Sequence, residues 1–158
     1  MAWECDDCGR SFGRTGQQHD CRPGVTIDAF LAAALPAAEP IFARVERHLR
    51  GLTGGDLIVD PLADKVQFKN GPVFAILGAM KKWTSLGFTV RRRIDSDRFS
   101  RKVTEYNGRY YHVLNLTDVE QVDDEVLEWL TEAFLGDAFD GGPVGGDPMV
   151  PDDVDIEF

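Results

Sequence analysis

Between Asp56 and Leu116 most of the runs follow one another too closely for a crossover helix, and this restricts the fold more than any other feature of the chain. The stretch reads as five short runs, "LIVD", "KVQFK", "VFAILG", "LGFTVRR" and "YYHVLNL", rich in β-branched and aromatic residues and separated by turn formers. Parallel neighbours need a connection of a dozen or more residues, so strands spaced this closely must pair antiparallel. Asn-Gly in "NGP" (70–72) and in "YNGRY" (106–110) marks two tight hairpins. A mainly antiparallel sheet of about five strands is expected.

Helical periodicity flanks this region. "VTIDAFLAAAL" offers Thr26 as N-cap and stops at Pro36. In "AEPIFARVERHLRGLTGG", Ile41, Phe42, Val45, Leu49 and Leu52 fall on one helical face, and Gly54 and Gly55 end it. "LTDVEQVDDEVLEWL" opens a last helix. Thr117 and Glu120 fit a capping box, Asp123, Asp124 and Glu125 suit the positive end of the dipole, and Val126, Leu127, Leu130 and Phe134 form its apolar face. The fold class is therefore α+β, with two N-terminal helices, the sheet, and a C-terminal helix packed on it. The chain divides into a cysteine-bearing unit (1–24), an α+β domain (25–137) and an acidic Gly/Pro-rich tail (138–158) expected to be flexible.

All three cysteines lie in "CDDCGRSFGRTGQQHDC", residues 5–21, together with one of the three histidines. Cys5 and Cys8, two residues apart, let a tight turn aim both sulfurs at one ion. His19 and Cys21, one residue apart, point the same way in an extended segment. The intervening residues are enough for a hairpin that closes the two pairs. Soft thiolates with an imidazole select Zn²⁺ over harder ions, and four protein ligands leave no open position, so the expected zinc is single and structural. Two rival readings exist. A thioredoxin-like Cys-x-x-Cys needs a preceding strand that is missing here, and incidental cysteines leave the paired spacing unexplained.

The quoted motif carries a resemblance. "WECDDCGRSF" with "HDC", the "TIDAFLA" helix, and "RYYHVLNLTDVEQVDDEVLEWLTEAF" resemble a bacterial family of domains of unknown function, whose members begin with a WxCxxCGRxF…HxC knuckle and end in a Leu/Trp-rich helix. The resemblance runs from residue 1 to about 136. It implies a zinc knuckle and a small α+β sheet, and it brings no reaction with it.

The residues themselves point away from catalysis. No nucleophile elbow, Walker loop or GxGxxG occurs. His112 shares a strand face with Tyr110, Leu114 and Leu116, where a histidine satisfied by a tyrosine or a backbone group is expected. Charge is more informative. The chain of 158 residues carries net charge −10, yet eleven basic residues face three acidic ones between Lys65 and His112. Such asymmetry indicates an anionic partner. The expected reading is a non-enzymatic, zinc-containing binding module. Lys65, Lys69, Lys81, Lys82, Arg91, Arg92 and Arg93 would contact nucleic acid or another anionic partner. One alternative is a protein-interaction domain whose basic patch meets an acidic protein or the chain's own tail; another is an enzyme acting on a small anionic substrate. No apolar run of membrane-spanning length and no secretory signal is visible, so the protein is expected in the cytoplasm.

Overall fold

The structure, a computed structural model, describes residues 3–12, 15, 16, 21, 24–53, 55–106 and 108–140. In chain order the elements are β1 (Trp3–Glu4), β2 (Ser11–Phe12), α1 (Ile27–Ala33), α2 (Ala38–Arg50), β3 (Ile58–Pro61), β4 (Lys65–Lys69), β5 (Val73–Ala79), β6 (Thr84–Val90), β7 (Thr104–Tyr106), β8 (Arg109–Leu116) and α3 (Asp124–Asp140), with a 3₁₀ turn over Val119–Gln121. β1 and β2 form a two-stranded antiparallel hairpin. The other strands form one six-stranded antiparallel sheet in the order β3-β4-β5-β6-β8-β7. The α+β class and the antiparallel pairing expected from the short connections are therefore present.

Thr26 caps α1 by accepting from the Ala29 N–H at 3.0 Å. α2 buries Ala38, Ile41, Phe42, Val45 and Leu49 on one face. Its Phe42 ring stacks on Phe68 of β4 at 6.1 Å. α3 buries Val126, Trp129, Leu130, Ala133 and Phe134, with Trp129 stacked on Phe88 of β6 and Phe134 edge-on to Phe74. Residues paired across strands share a face. Val66 and Phe68, Ala75 and Leu77, Leu86 and Phe88, and His112 and Leu114 therefore meet the helices in one core. Complete burial of each large apolar side chain stabilises by about 1.5–3 kcal/mol, so this face dominates the energetics.

The opposite face has another character. Asp60 lies opposite Gln67, Ile76 opposite Gly87, Ser85 opposite Asn115, and Thr89 opposite Tyr111. Gly87 has to be glycine, because a Cβ there would run into the Tyr111 hydroxyl and ring that lie across it. The β1–β2 hairpin packs on this face over β3 and β4.

Three local expectations change. β7 adds a sixth strand to the sheet; all three of its residues are exposed, so no apolar alternation announced it. The capping box sits one residue later than expected. Asp118 accepts from the Glu120 N–H, and Gln121 Oε1 accepts from the Asp118 N–H. This box opens the 3₁₀ turn, while Asp123 Oδ1 accepts from the Val126 N–H at the start of α3. α3 reaches Asp140 across a break at Gly136, whose φ of 49° suits glycine. The expected start of the tail at 138 thus falls inside this helix, and residues 141–158 lie outside those described.

Candidate metal centre

Cys5 follows β1, and the chain turns through Asp6, Asp7 and Cys8 before Gly9, whose φ of 74° reverses it. The Gly9 N–H donates to the Cys5 carbonyl at 2.8 Å, and the Cys5 N–H donates to the Arg10 carbonyl at 2.9 Å. This tight turn places two sulfurs side by side, and Cys21 arrives from further along the chain. Sγ atoms of Cys5, Cys8 and Cys21 lie within 4.8 Å of one another, and none of the three is in a disulfide. Cys5 and Cys21 are 3.8 Å apart at sulfur. A disulfide brings sulfurs to about 2.05 Å. Two ligands at about 2.3 Å from a tetrahedral zinc are instead about 3.8 Å apart. The three cysteines fit a metal ion. His19, the expected fourth ligand, lies outside the described residues.

The thiols differ electrostatically. The backbone N–H of Cys8, donating to the Cys5 sulfur, leads the effects that draw its pKa down to about 7. Cys21 is pushed up to about 11, by desolvation first and then by hydrogen bonding to Cys5 and Cys8.

The hairpin is anchored to the sheet by buried charge. Arg10 bonds both carboxylate oxygens of Asp60 on β3, with its NH2 at 2.8 Å from Oδ2, and reaches Gln67 Oε1 on β4 at 3.1 Å. Lys69 Nζ, also 2.8 Å from Asp60 Oδ2, is completely buried and sits 3.7 Å from the centroid of the Phe12 ring. Phe12 is itself fully buried. Sequence reasoning missed Arg10 and Asp60. The available signals were an arginine inside the cysteine motif and a lone carboxylate in the apolar run "LIVD".

The basic residues expected to contact an anionic partner do not lie on one surface. Lys69 belongs to the buried network, because its ammonium is held by Asp60 beneath Phe12. Lys65 is half-buried at the start of β4, opposite Gly78, on the same end of the sheet as the exposed Lys81 and Lys82 in the β5–β6 turn. Arg91, Arg92 and Arg93 are exposed just beyond the other end of β6, roughly 20 Å away along a strand of this length. Arg92 binds Glu132 of α3 through two hydrogen bonds of 2.9 and 3.0 Å. Arg93 lies 5.3 Å from the Tyr110 ring centroid and donates to the Val103 carbonyl at 3.5 Å. Arg98 is taken up by Asp123 and Glu125.

His112 is fully buried. Its Nε2 accepts from the Ile94 N–H at 3.0 Å, and its ring stacks on Phe88 and meets Phe99. Burial pushes its pKa down to about 4, against the weaker pull of the Tyr110 and Phe88 carbonyls. A backbone group satisfies one ring nitrogen, as expected for a core histidine, while the buried Nδ1 has no hydrogen-bond partner among the described residues. Among the described residues, no helix is long and apolar enough to cross a membrane.

No curated protein and no solved structure matches the chain. The sequence model of a family does match, over residues 27–135, which contain α1, α2, the whole six-stranded sheet and α3 as far as Leu135, and leave the cysteine hairpin outside. On that match the chain belongs to the family described as a domain of unknown function, DUF5655.

Proposed function

We propose that the protein is a non-enzymatic binding module in which one structural zinc, held by Cys5, Cys8, His19 and Cys21, fixes the hairpin on a sheet whose β7–β8 edge contacts single-stranded nucleic acid. The observation that carries the metal is the 3.8 Å Cys5–Cys21 separation, the edge of a tetrahedron around zinc and far longer than a disulfide. A thiolate-rich donor set selects zinc among the available divalent ions. Four protein ligands close the coordination shell, which gives the metal a structural role. His112, tied to the Ile94 N–H inside an aromatic cage, is occupied in the core. Three cysteines grouped at one site cannot all pair within the chain and suit a reducing, cytoplasmic setting. Elemental analysis of protein purified without added metal should return one zinc per chain. A content below about a tenth of an equivalent would sink the assignment.

The nucleic-acid contact rests on the surroundings of Arg93. Its guanidinium covers Tyr110, and the neighbouring Arg101 and Lys102 are exposed. Tyr106, 43% exposed, is the most exposed large hydrophobic side chain among the described residues. Cations with accessible aromatic rings serve single strands, where bases stack and phosphates need neutralising. Of the residues expected to bind an anion, Arg91 and Arg93 lie at this end, and Lys81 and Lys82 at the other. Fluorescence anisotropy with a mixed-sequence single-stranded oligonucleotide tests the reading. Binding that weakens steeply with salt supports it, and the absence of binding at low salt refutes it.

A further inference from the structure

A cluster of thiols that can hold a metal can also give up electrons, and its geometry decides which two sulfurs do so. Sγ of Cys5 and Sγ of Cys21 are 3.8 Å apart, and both residues are free cysteines. A disulfide needs about 2.05 Å, so one sulfur has to travel only about 1.8 Å.

The sulfurs differ in access and in freedom to move. Cys5 is 5% exposed and is fixed by its turn, where its N–H donates to the Arg10 carbonyl and its carbonyl accepts from the Gly9 N–H. Cys8 is half-buried and belongs to that same turn. Cys21 is exposed and arrives from sixteen residues beyond Cys5. An oxidant meets the exposed sulfur first, and the sulfenic acid it forms is captured by a thiol poised beside it. Linking Cys5 to Cys8 would close a small ring inside the hydrogen-bonded turn. Linking Cys5 to Cys21 leaves that turn intact.

We infer that Cys5 and Cys21 form a reversible disulfide under peroxide, which exchanges the metal cross-link of the hairpin for a covalent one. The disulfide stands on the thiol geometry alone, and the loss of metal that accompanies it rests on the zinc reading above. A divalent ion keeps its cysteine ligands deprotonated, and the thiolate is the reactive form. The Cys21 thiolate attacks one oxygen of hydrogen peroxide. The O–O bond breaks, and with one proton the products are the Cys21 sulfenic acid and water. The Cys5 thiolate then attacks the sulfenic sulfur. The S–S bond forms, the S–O bond breaks, and the departing hydroxide takes up a proton to give a second water. In sum each sulfur loses one electron and peroxide gains two. Cys8 and His19 remain as ligands, too few for a tetrahedral site, and the ion leaves. Arg10 still holds Asp60, so the hairpin stays on the sheet.

The experiment adds hydrogen peroxide in stepwise equivalents to zinc-loaded full-length protein. Released zinc is followed with a chromogenic chelator, free thiols are counted, and peptides are mapped by mass spectrometry without reduction. About one equivalent should release the zinc, take the free thiols from three to one, and give a Cys5–Cys21 linked peptide within a monomer. The sheet signal in circular dichroism should not change, and dithiothreitol with zinc should restore the starting state. Cys8→Ser, which keeps the pair, should form the same link. Cys21→Ser, which removes it, should keep both remaining thiols at the same peroxide level. Should Cys8→Ser fail to fold, the wild-type map decides alone. A Cys5–Cys8 link, a link between two copies, or three thiols surviving with zinc still bound overturns the inference. Protein that takes up no zinc overturns the zinc reading, and the thiol count and peptide map still decide the disulfide.

Discussion

His112 shows how one residue's surroundings set a property of the molecule. Its ring lies between Phe88 and Phe99, with Trp129 against both, and an imidazolium there would lose its hydration. The folded pKa, about 4, lies below the ordinary value of 6.5. Above pH 6.5 neither the folded nor the unfolded state is charged at this position, and the full stability is present. Between pH 6.5 and about 4 the unfolded chain takes up a proton that the folded chain refuses, so stability falls with pH, by up to about 3 kcal/mol. Comparing thermal melts of wild type and His112→Gln from pH 7.5 to 4.5 isolates this from carboxylate titration. The wild type should lose its advantage as the pH drops, and parallel curves would disprove the mechanism. Strand alternation alone puts His112 on the core face. Its aromatic cage was not legible, because Phe99 comes from the irregular segment after β6, which has no period to read.

At the scale of elements, the hairpin of residues 3–12 and the strands β3 and β4 form one packed unit, although the sequence presents the cysteine motif as a self-contained knuckle. The motif's spacing is enough to bring the sulfurs together. Its docking was hidden because the partners of Arg10 lie fifty residues or more away in Asp60 and Gln67, and a lysine reads as a surface residue until its carboxylate is known. Lys69 reads as part of an anion-binding surface for that reason. The unexpected strand β7 has a similar origin, since "TEY" exposes every side chain and joins the sheet by pairing with β8. The docking makes a definite energetic claim. Asp60→Ala removes a buried carboxylate that two buried cations share and should cost about 3–5 kcal/mol in chemical denaturation. A loss under about 1 kcal/mol would mean that the hairpin contributes nothing to the sheet. Chelating the metal should likewise shift the amide resonances of Asp60, Gln67 and Lys69 along with those of the cysteines. Changes confined to residues 3–21 would show the two parts to be uncoupled.

For the whole molecule, the surplus of basic residues between Lys65 and His112 is real as a count and misleading as a surface. Folding sends Lys69 into the interior, pairs Arg92 and Arg98 with carboxylates of α3 and the residue before it, and separates the remaining cations to opposite ends of β6. A count along the chain contains no information on which face or end a side chain reaches. The acidic tail, which the sequence offers as a partner for the basic patch, lies outside the described residues from 141 onward. The two ends of the sheet make different predictions. Lys81 and Lys82 sit in a turn with no exposed tyrosine described beside them, whereas at the β7–β8 edge Arg93 lies over Tyr110, Tyr106 is exposed, and the exposed Lys102 comes just before β7. If single strands bind at the β7–β8 edge, removing one phosphate-neutralising cation reduces the slope of log affinity against log salt by about 0.7. The double variant Arg93→Ala, Lys102→Ala should therefore lower that slope by about 1.4 and weaken binding at low salt by roughly one to two orders of magnitude. Tyr106→Ala should weaken binding by about 1–3 kcal/mol while leaving the slope unchanged, because stacking releases no counterions. Lys81→Ala, Lys82→Ala should alter neither quantity. The reverse pattern, with the β5–β6 turn carrying the salt dependence and the tyrosine silent, would move the binding surface to the far end of the sheet and reduce it to simple charge attraction.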